Sequence, residues 1–187
     1  YTLSGYSLHA TGLELDAMDP FVNFTMGRVH WLTDDAATAR HWLTRATTIN
    51  PNYAQAKYSR GWAETFLGSA DASQANIAAA LALSPLDPFV YGMLGVRAMS
   101  HLVLGQSAQA ADWGERAANS PGAHALIEMI AATTHALNGN DAKAKAWADS
   151  ARARAGHLSK ADFLRAFPFR DPLTRKLITA TLSRLGF

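Results

Sequence analysis

Ile49-Asn50-Pro51 and Leu83-Ser84-Pro85 decide how the rest of this chain is read. In each, a proline closes a run with helical spacing, and proline cannot continue a helix because it lacks the backbone N–H and its ring clashes with the preceding turn. The prolines stand at 51 and 85, an interval of 34 residues. A second pair of stretches agrees. Leu15-Asp16-Ala17-Met18-Asp19-Pro20-Phe21-Val22 parallels Leu83-Ser84-Pro85-Leu86-Asp87-Pro88-Phe89-Val90 at an offset of 68, two such intervals. A fixed period of this length marks a stack of helix pairs, in which each unit buries its apolar face only against its neighbours.

Two helices that cross closely need small residues at the crossing and one larger apolar residue to fill the gap. In the unit starting at Pro20 these are Gly27, Ala39, Ala46 and the larger Leu43, with Pro51 closing the unit. The unit starting at Ala54 places Gly61, Ser73, Ile77, Ala80 and Pro85 at the same positions. The third unit begins near Pro88 and is irregular. Gly95 to Gly105 is ten residues where Gly61 to Gly68 is seven, which predicts a first helix about one turn longer. Its second helix runs from about Ala108 to Ala118 and ends at Ser120-Pro121. A fourth pair starts near Ala123, turns at Asn138-Gly139-Asn140-Asp141 and stops at Gly156, with Ala144 and Ala151 as its small contacts.

Turns are therefore expected near Thr33-Asp34, Gly68-Ser69, Gly105-Gln106 and Gly139-Asn140. Residues before Asp16 read as the second helix of an earlier, partial unit, weakened by Gly5 and Gly12. Ser159-Lys160-Ala161-Asp162 resembles a capping box that opens a short helix to about Phe167. Asp171-Pro172 then starts a final helix with Leu173, Leu177, Ile178, Leu182 and Leu185 on one face. This pair is expected to cover the last apolar face of the stack.

The spacing over about residues 15 to 156 resembles the tetratricopeptide family. The expected fold is an all-α superhelix in a single domain spanning 1–187. Its parts are a leading partial repeat over 1–16, repeats at 20–53, 54–87, 88–122 and 123–156, and capping helices over 157–187. A narrower resemblance rests on Leu86-Asp87-Pro88, Met93-Leu94-Gly95, Pro121-Gly122-Ala123-His124, Phe167-Pro168-Phe169-Arg170-Asp171-Pro172 and Leu185-Gly186-Phe187. These are similar to the C-terminal repeat region of bacterial signalling proteins in which a class III nucleotide cyclase or a winged-helix DNA-binding domain precedes the repeats. The chain opens on Tyr1 and reads as part of a longer or processed protein. The resemblance implies a regulatory or scaffolding part of a bacterial cytoplasmic regulator.

In the tetratricopeptide family the concave wall is lined by the second, fifth, ninth and twelfth positions of each first helix. Here these are Phe21, Phe24, Arg28 and Trp31, then Gln55, Tyr58, Trp62 and Thr65, then Phe89, Gly92, Val96 and Met99. The family's clamp for a terminal carboxylate uses Lys and Asn, a set absent at these positions. The expected partner-binding residues are instead Phe24, Arg28, Trp31, Tyr58, Trp62 and Met99, an aromatic groove with one cation. Exposed aromatics and arginine dominate recognition energetics. Phe21 and Phe89 follow prolines and can equally seal adjacent units.

Other chemistry has little support. The chain has no cysteine, which excludes disulfides, thiolate nucleophiles and cysteine-bound zinc. No stretch reaches the roughly 18 apolar residues of a membrane span. Seven histidines are present, but none forms a zinc-type pair. His124, Glu128 and His135 share a helical face, yet the two histidines lie about 16 Å apart along a helix axis. No nucleotide-binding glycine motif or nucleophile elbow occurs. Neither a catalytic residue nor a metal or cofactor is therefore expected. From Lys143 onward there are ten basic and three acidic residues, so the tail carries +7 of a net +2 and the rest −5. These charges are spread at helical spacing, as on a solvated surface, and no direct nucleic-acid contact is expected. The leading function is an interaction module for a protein, a peptide or its own preceding domain. The alternative is self-association, as a homodimer, of an attached cyclase or DNA-binding domain.

Overall fold

The structure, a computed structural model, describes residues 16–187, and the expected leading partial repeat lies outside them. The described residues form ten α-helices and no strand. They are α1 (Pro20–Leu32), α2 (Ala36–Ile49), α3 (Ala54–Phe66), α4 (Ala70–Leu83) and α5 (Val90–Val103). After these come α6 (Ser107–Ala118), α7 (Ala125–Leu137), α8 (Asp141–Arg154), α9 (Lys160–Ala166) and α10 (Pro172–Arg184). Consecutive helices pack together from α1 to α8, the antiparallel stacking of a tetratricopeptide-type superhelix.

Short polar side chains start several of these helices. Asp19 accepts from the Phe21 and Val22 N–H groups ahead of Pro20, and Asp35 accepts from Thr38. Asn140 caps α8, and Asp171 caps α10 beside Pro172. Each such cap satisfies a backbone donor that the helix itself cannot, worth about 1 kcal/mol.

The turns inside the pairs are four copies of one device. Asp34, Gly68, Gly105 and Gly139 all adopt positive φ, at 65°, 79°, 72° and 76°. In each copy the next residue's N–H reaches back to the helix: Asp35 to His30, Ser69 to Glu64, Gln106 to His101 and Asn140 to His135. This double closure of the last turn requires a left-handed residue, hence glycine three times and the tolerant aspartate once. From 34 to 68, 68 to 105 and 105 to 139 the steps are 34, 37 and 34 residues.

The extra three residues correct the expected register of the third pair. Gly27 and Gly61 lie five residues before the ends of α1 and α3, where an added Cβ would come within 2.5 Å of Leu43 and 2.7 Å of Ile77. The same place in α5 and α7 belongs to Ala98 and Ala132, both fully buried. Gly95 faces Ile127 and Ile130 of α7 instead of its own partner helix. Nor is α5 a turn longer, at 14 residues against 13 in α3. Two of the extra residues are in the α4–α5 connection, where Asp87 accepts from Gln55, Ser84 and the Phe89 N–H, and the third lengthens α5.

The C-terminal helices depart from a simple end cap. Ser159 and Asp162 form the expected capping box on α9. Beyond it the chain crosses the inside of the superhelix, with Phe163, Phe167 and Phe169 buried. Phe167 stacks on Trp62 at 4.8 Å, and Phe169 meets Phe66 edge-on at 5.5 Å. The Trp31 indole N–H donates to the Ala166 carbonyl at 3.3 Å, and the Arg170 N–H to the Phe66 carbonyl at 2.8 Å. Helix α10 returns against α7 with Ile178 and Leu182 inward. Leu173 and Leu177, expected on that same face, point outward at 78% and 47% exposure.

Candidate partner-binding cleft

The returning segment leaves a cleft of about 460 Å³ between itself and the concave wall. One side is built by Arg28, Trp31 and Leu32 of α1 and by Tyr58 and Trp62 of α3. Phe89 and Tyr91 close one end, and His124, Leu126 and Ile127 line the entry of α7. Opposite them stand Asp162, Arg165, Ala166 and Phe167 from α9 and its exit. A second cavity of about 220 Å³ continues past Arg28, Tyr58 and Phe89 to Phe24, Gln55 and Ser59. Arg28, Tyr58 and Phe89 therefore line both cavities.

Local packing explains the positions. The hydroxyl end of Tyr58 packs against Gly92 of α5, which has no Cβ; any side chain there would strike the Tyr58 hydroxyl. The Trp62 indole N–H donates to that hydroxyl at 3.2 Å. Burial raises the Tyr58 pKa, while the Trp62 bond and Arg28 pull it back. The Arg28 guanidinium rests over the Trp31 ring, 4.3 Å from its centroid. Desolvation pushes its pKa below the usual arginine value, and Tyr58 opposes the shift. Among the described residues no carboxylate pairs with it. A cation taken from water without a counter-ion is costly, and the cation–π contact offsets only part of the loss.

Three expected groove residues, Arg28, Trp31 and Tyr58, are brought together here. Phe24 lines the smaller cavity. Trp62 is only 1% exposed, because stacking against Phe66 and Phe167 consumes both faces of its ring. It shapes the floor of the cleft and offers almost no surface. Met99 is a correction: it is 0% exposed within the core and lines no part of the groove, since the three-residue shift turns that position inward. Tyr91, His124, Arg165 and Phe167 escaped the repeat pattern. The aromatic run Phe163, Phe167 and Phe169 was the available signal, being richer than an end cap requires.

His124 stands on the rim with its ring edge-on to Tyr91 at 5.4 Å. Its pKa is lowered by desolvation and by Arg154, against the pull of Glu128. Among the described residues no group of three His, Asp or Glu could hold a metal ion. No described helix is long and apolar enough to cross a membrane.

This architecture is the tetratricopeptide-type superhelix, and comparison with solved structures agrees. The crystal structure of PilW, a widely conserved type IV pilus biogenesis factor, superposes with a TM-score of 0.74 over 96% of this chain and 81% of its own, at 18% identity. MamA (MSR-1 C2) gives 0.59 over 82% of this chain and 93% of its own, at 16% identity. A tetratricopeptide repeat protein from Parabacteroides merdae ATCC 43184 gives 0.62 at 13% identity, over 92% of this chain, which spans 61% of that protein. No family model matches the sequence, and no curated protein does.

Proposed function

We propose that the chain is a non-catalytic protein-interaction module that takes a short segment of a partner into the groove between its concave wall and α9. The observation that carries this reading is the placement of Arg28. A half-buried guanidinium with no carboxylate among the described residues lines two cavities at once, walled by Trp31, Tyr58 and Phe89. Aromatic walls give large contact areas at small entropic cost, and a pre-positioned arginine fixes orientation. The partner is another protein or a preceding domain of the same polypeptide. The sequence motifs shared with bacterial signalling proteins support a cytoplasmic regulatory setting. Self-association is the second reading, favoured by Leu173 and Leu177, which stand exposed on α10.

Selection from a random peptide library against the purified chain tests the groove. Recovered peptides should bind the native protein and lose at least about tenfold in affinity on Leu32→Asp, a substitution at a 77% exposed position that should leave the fold intact. Peptides that bind this variant and Arg28→Ala as tightly as the native chain would place the interaction surface elsewhere.

A further inference from the structure

Helix α9 is flanked by two openings, and both end on the same residues. On its inner side is the 460 Å³ cleft; on its outer side, toward α10, is another of about 440 Å³. Trp31, Leu32 and Arg165 line both. Leu32, the last residue of α1, is an exposed apolar side chain between the two mouths.

The charges around these mouths do not balance. The acids present are engaged: Asp34 pairs with Arg170 at 2.8 Å, while Asp162 completes the capping box with Ser159 and meets Arg165 at 3.3 Å. Three cations have no carboxylate among the described residues. Arg28 lies inside the inner cleft. Lys160 and Arg175 line the outer one, where Lys160 donates to the Ser183 hydroxyl and Arg175 to the Phe169 carbonyl. Those neutral acceptors orient the cations and leave their charge uncompensated. The aromatic and leucine surface between them runs from Tyr58 through Trp31 to Leu32.

We infer that the ligand of the proposed groove is an acidic segment of a partner protein carrying an aromatic or leucine side chain. It sits astride α9, with one carboxylate on Arg28 and further carboxylates on Lys160 and Arg175. The apolar side chain covers Trp31 and Leu32. This identification rests on the groove reading above and adds the chemistry of the occupant. Three cations around an apolar strip favour acidic partners and reject basic ones, because among the described residues the acids at these mouths are already engaged.

The test uses two fluorescein-labelled dodecapeptides, N-acetylated and C-amidated so that no terminal carboxylate contributes. One places glutamates around a single phenylalanine; the other replaces every glutamate with glutamine. Fluorescence anisotropy with the full chain should show the glutamate peptide binding at least about tenfold more tightly, with the gap narrowing as salt is raised. Arg28→Met and the double substitution Lys160→Ala, Arg175→Ala should each remove most of that preference, while circular dichroism shows the helices retained. Equal binding of both peptides would leave the groove reading standing and overturn the acidic occupant. Absence of binding by both at millimolar concentration would overturn the two together. A parallel arm with phosphatidylserine vesicles separates the sources of anionic charge. Co-sedimentation with the vesicles, combined with indifference to the glutamates, would replace the peptide with a membrane surface.

Discussion

At Gly61, α3 meets α4 through bare backbone and the side chain of Ile77; one residue on, at Trp62, the same helix meets the returning chain through stacked rings. The first contact recurs along the stack at Gly27, Ala98 and Ala132. It is governed by size alone and joins helices adjacent in sequence. The second is made by aromatic faces and joins residues far apart, as Trp31 and Ala166 are at 135 positions. The stack is thus a local construction repeated, whereas the cleft floor exists only after the C-terminal segment has crossed it.

The largest effect should come from removing that crossing. Phe167→Ala and Phe169→Ala each delete a buried ring with aromatic partners, and loss of such a side chain costs about 3–5 kcal/mol. Urea denaturation measures it. A cost below about 1 kcal/mol for both would show that the segment is not part of the core.

The periodic contact should be less costly to disturb. Gly61→Leu forces a side chain against Ile77, and overpacking of this kind costs about 1–3 kcal/mol. Ala98→Leu should cost a similar amount, because Ala98 holds the equivalent place in α5. A neutral outcome at Ala98 would return the crossing to Gly95. The turn between helices is weaker still. Gly139→Ala places a Cβ on a residue with φ of 76° and should cost about 1–2 kcal/mol, read as a lower melting temperature.

The same contrast explains what could be read in advance. Small residues at fixed intervals and the prolines after them report helix pairing directly, because each constraint acts between neighbouring helices. The register of α5 slipped because two glycines, Gly92 and Gly95, stand near the crossing and serve other contacts, with Tyr58 and with Ile130. The crossing residue there is an alanine, which nothing in the sequence distinguishes from other alanines. Arg28, Trp31 and Tyr58 were legible as a groove because they lie on the inner face of first helices. The fate of Trp62 and the role of Arg165 depend on a non-repeating segment that has no period to betray it. Leu173 and Leu177 fit a helical stripe, but α10 is held by Ile178 and Leu182, and the stripe is wider than the contact.

The smallest predicted effect separates the two regions by pH. His135, on α7 within the repeat stack, is 4% exposed and faces Glu115 at 3.3 Å, with Lys143 on the same carboxylate. Desolvation lowers its pKa from 6.5, Lys143 adds to the shift, and Glu115 opposes it. A histidine with a depressed folded pKa takes up its proton more readily when unfolded, so acid favours unfolding. The contribution is intact above pH 6.5 and is lost as pH falls through that value toward the folded pKa. Glu115 is also shifted down, by Lys143 first, but its linkage begins only below its ordinary 4.5. Between pH 7.5 and 5.5 the histidines can therefore be read apart from that carboxylate. The native chain should melt at a lower temperature at pH 5.5, and His135→Gln should reduce that drop. His124 also shifts down, but it stands exposed on the cleft rim, where solvent weakens any effect on stability. His124→Gln should leave the drop nearly unchanged. If His124→Gln abolishes it and His135→Gln does not, the acid-sensitive element is the cleft and not the stack.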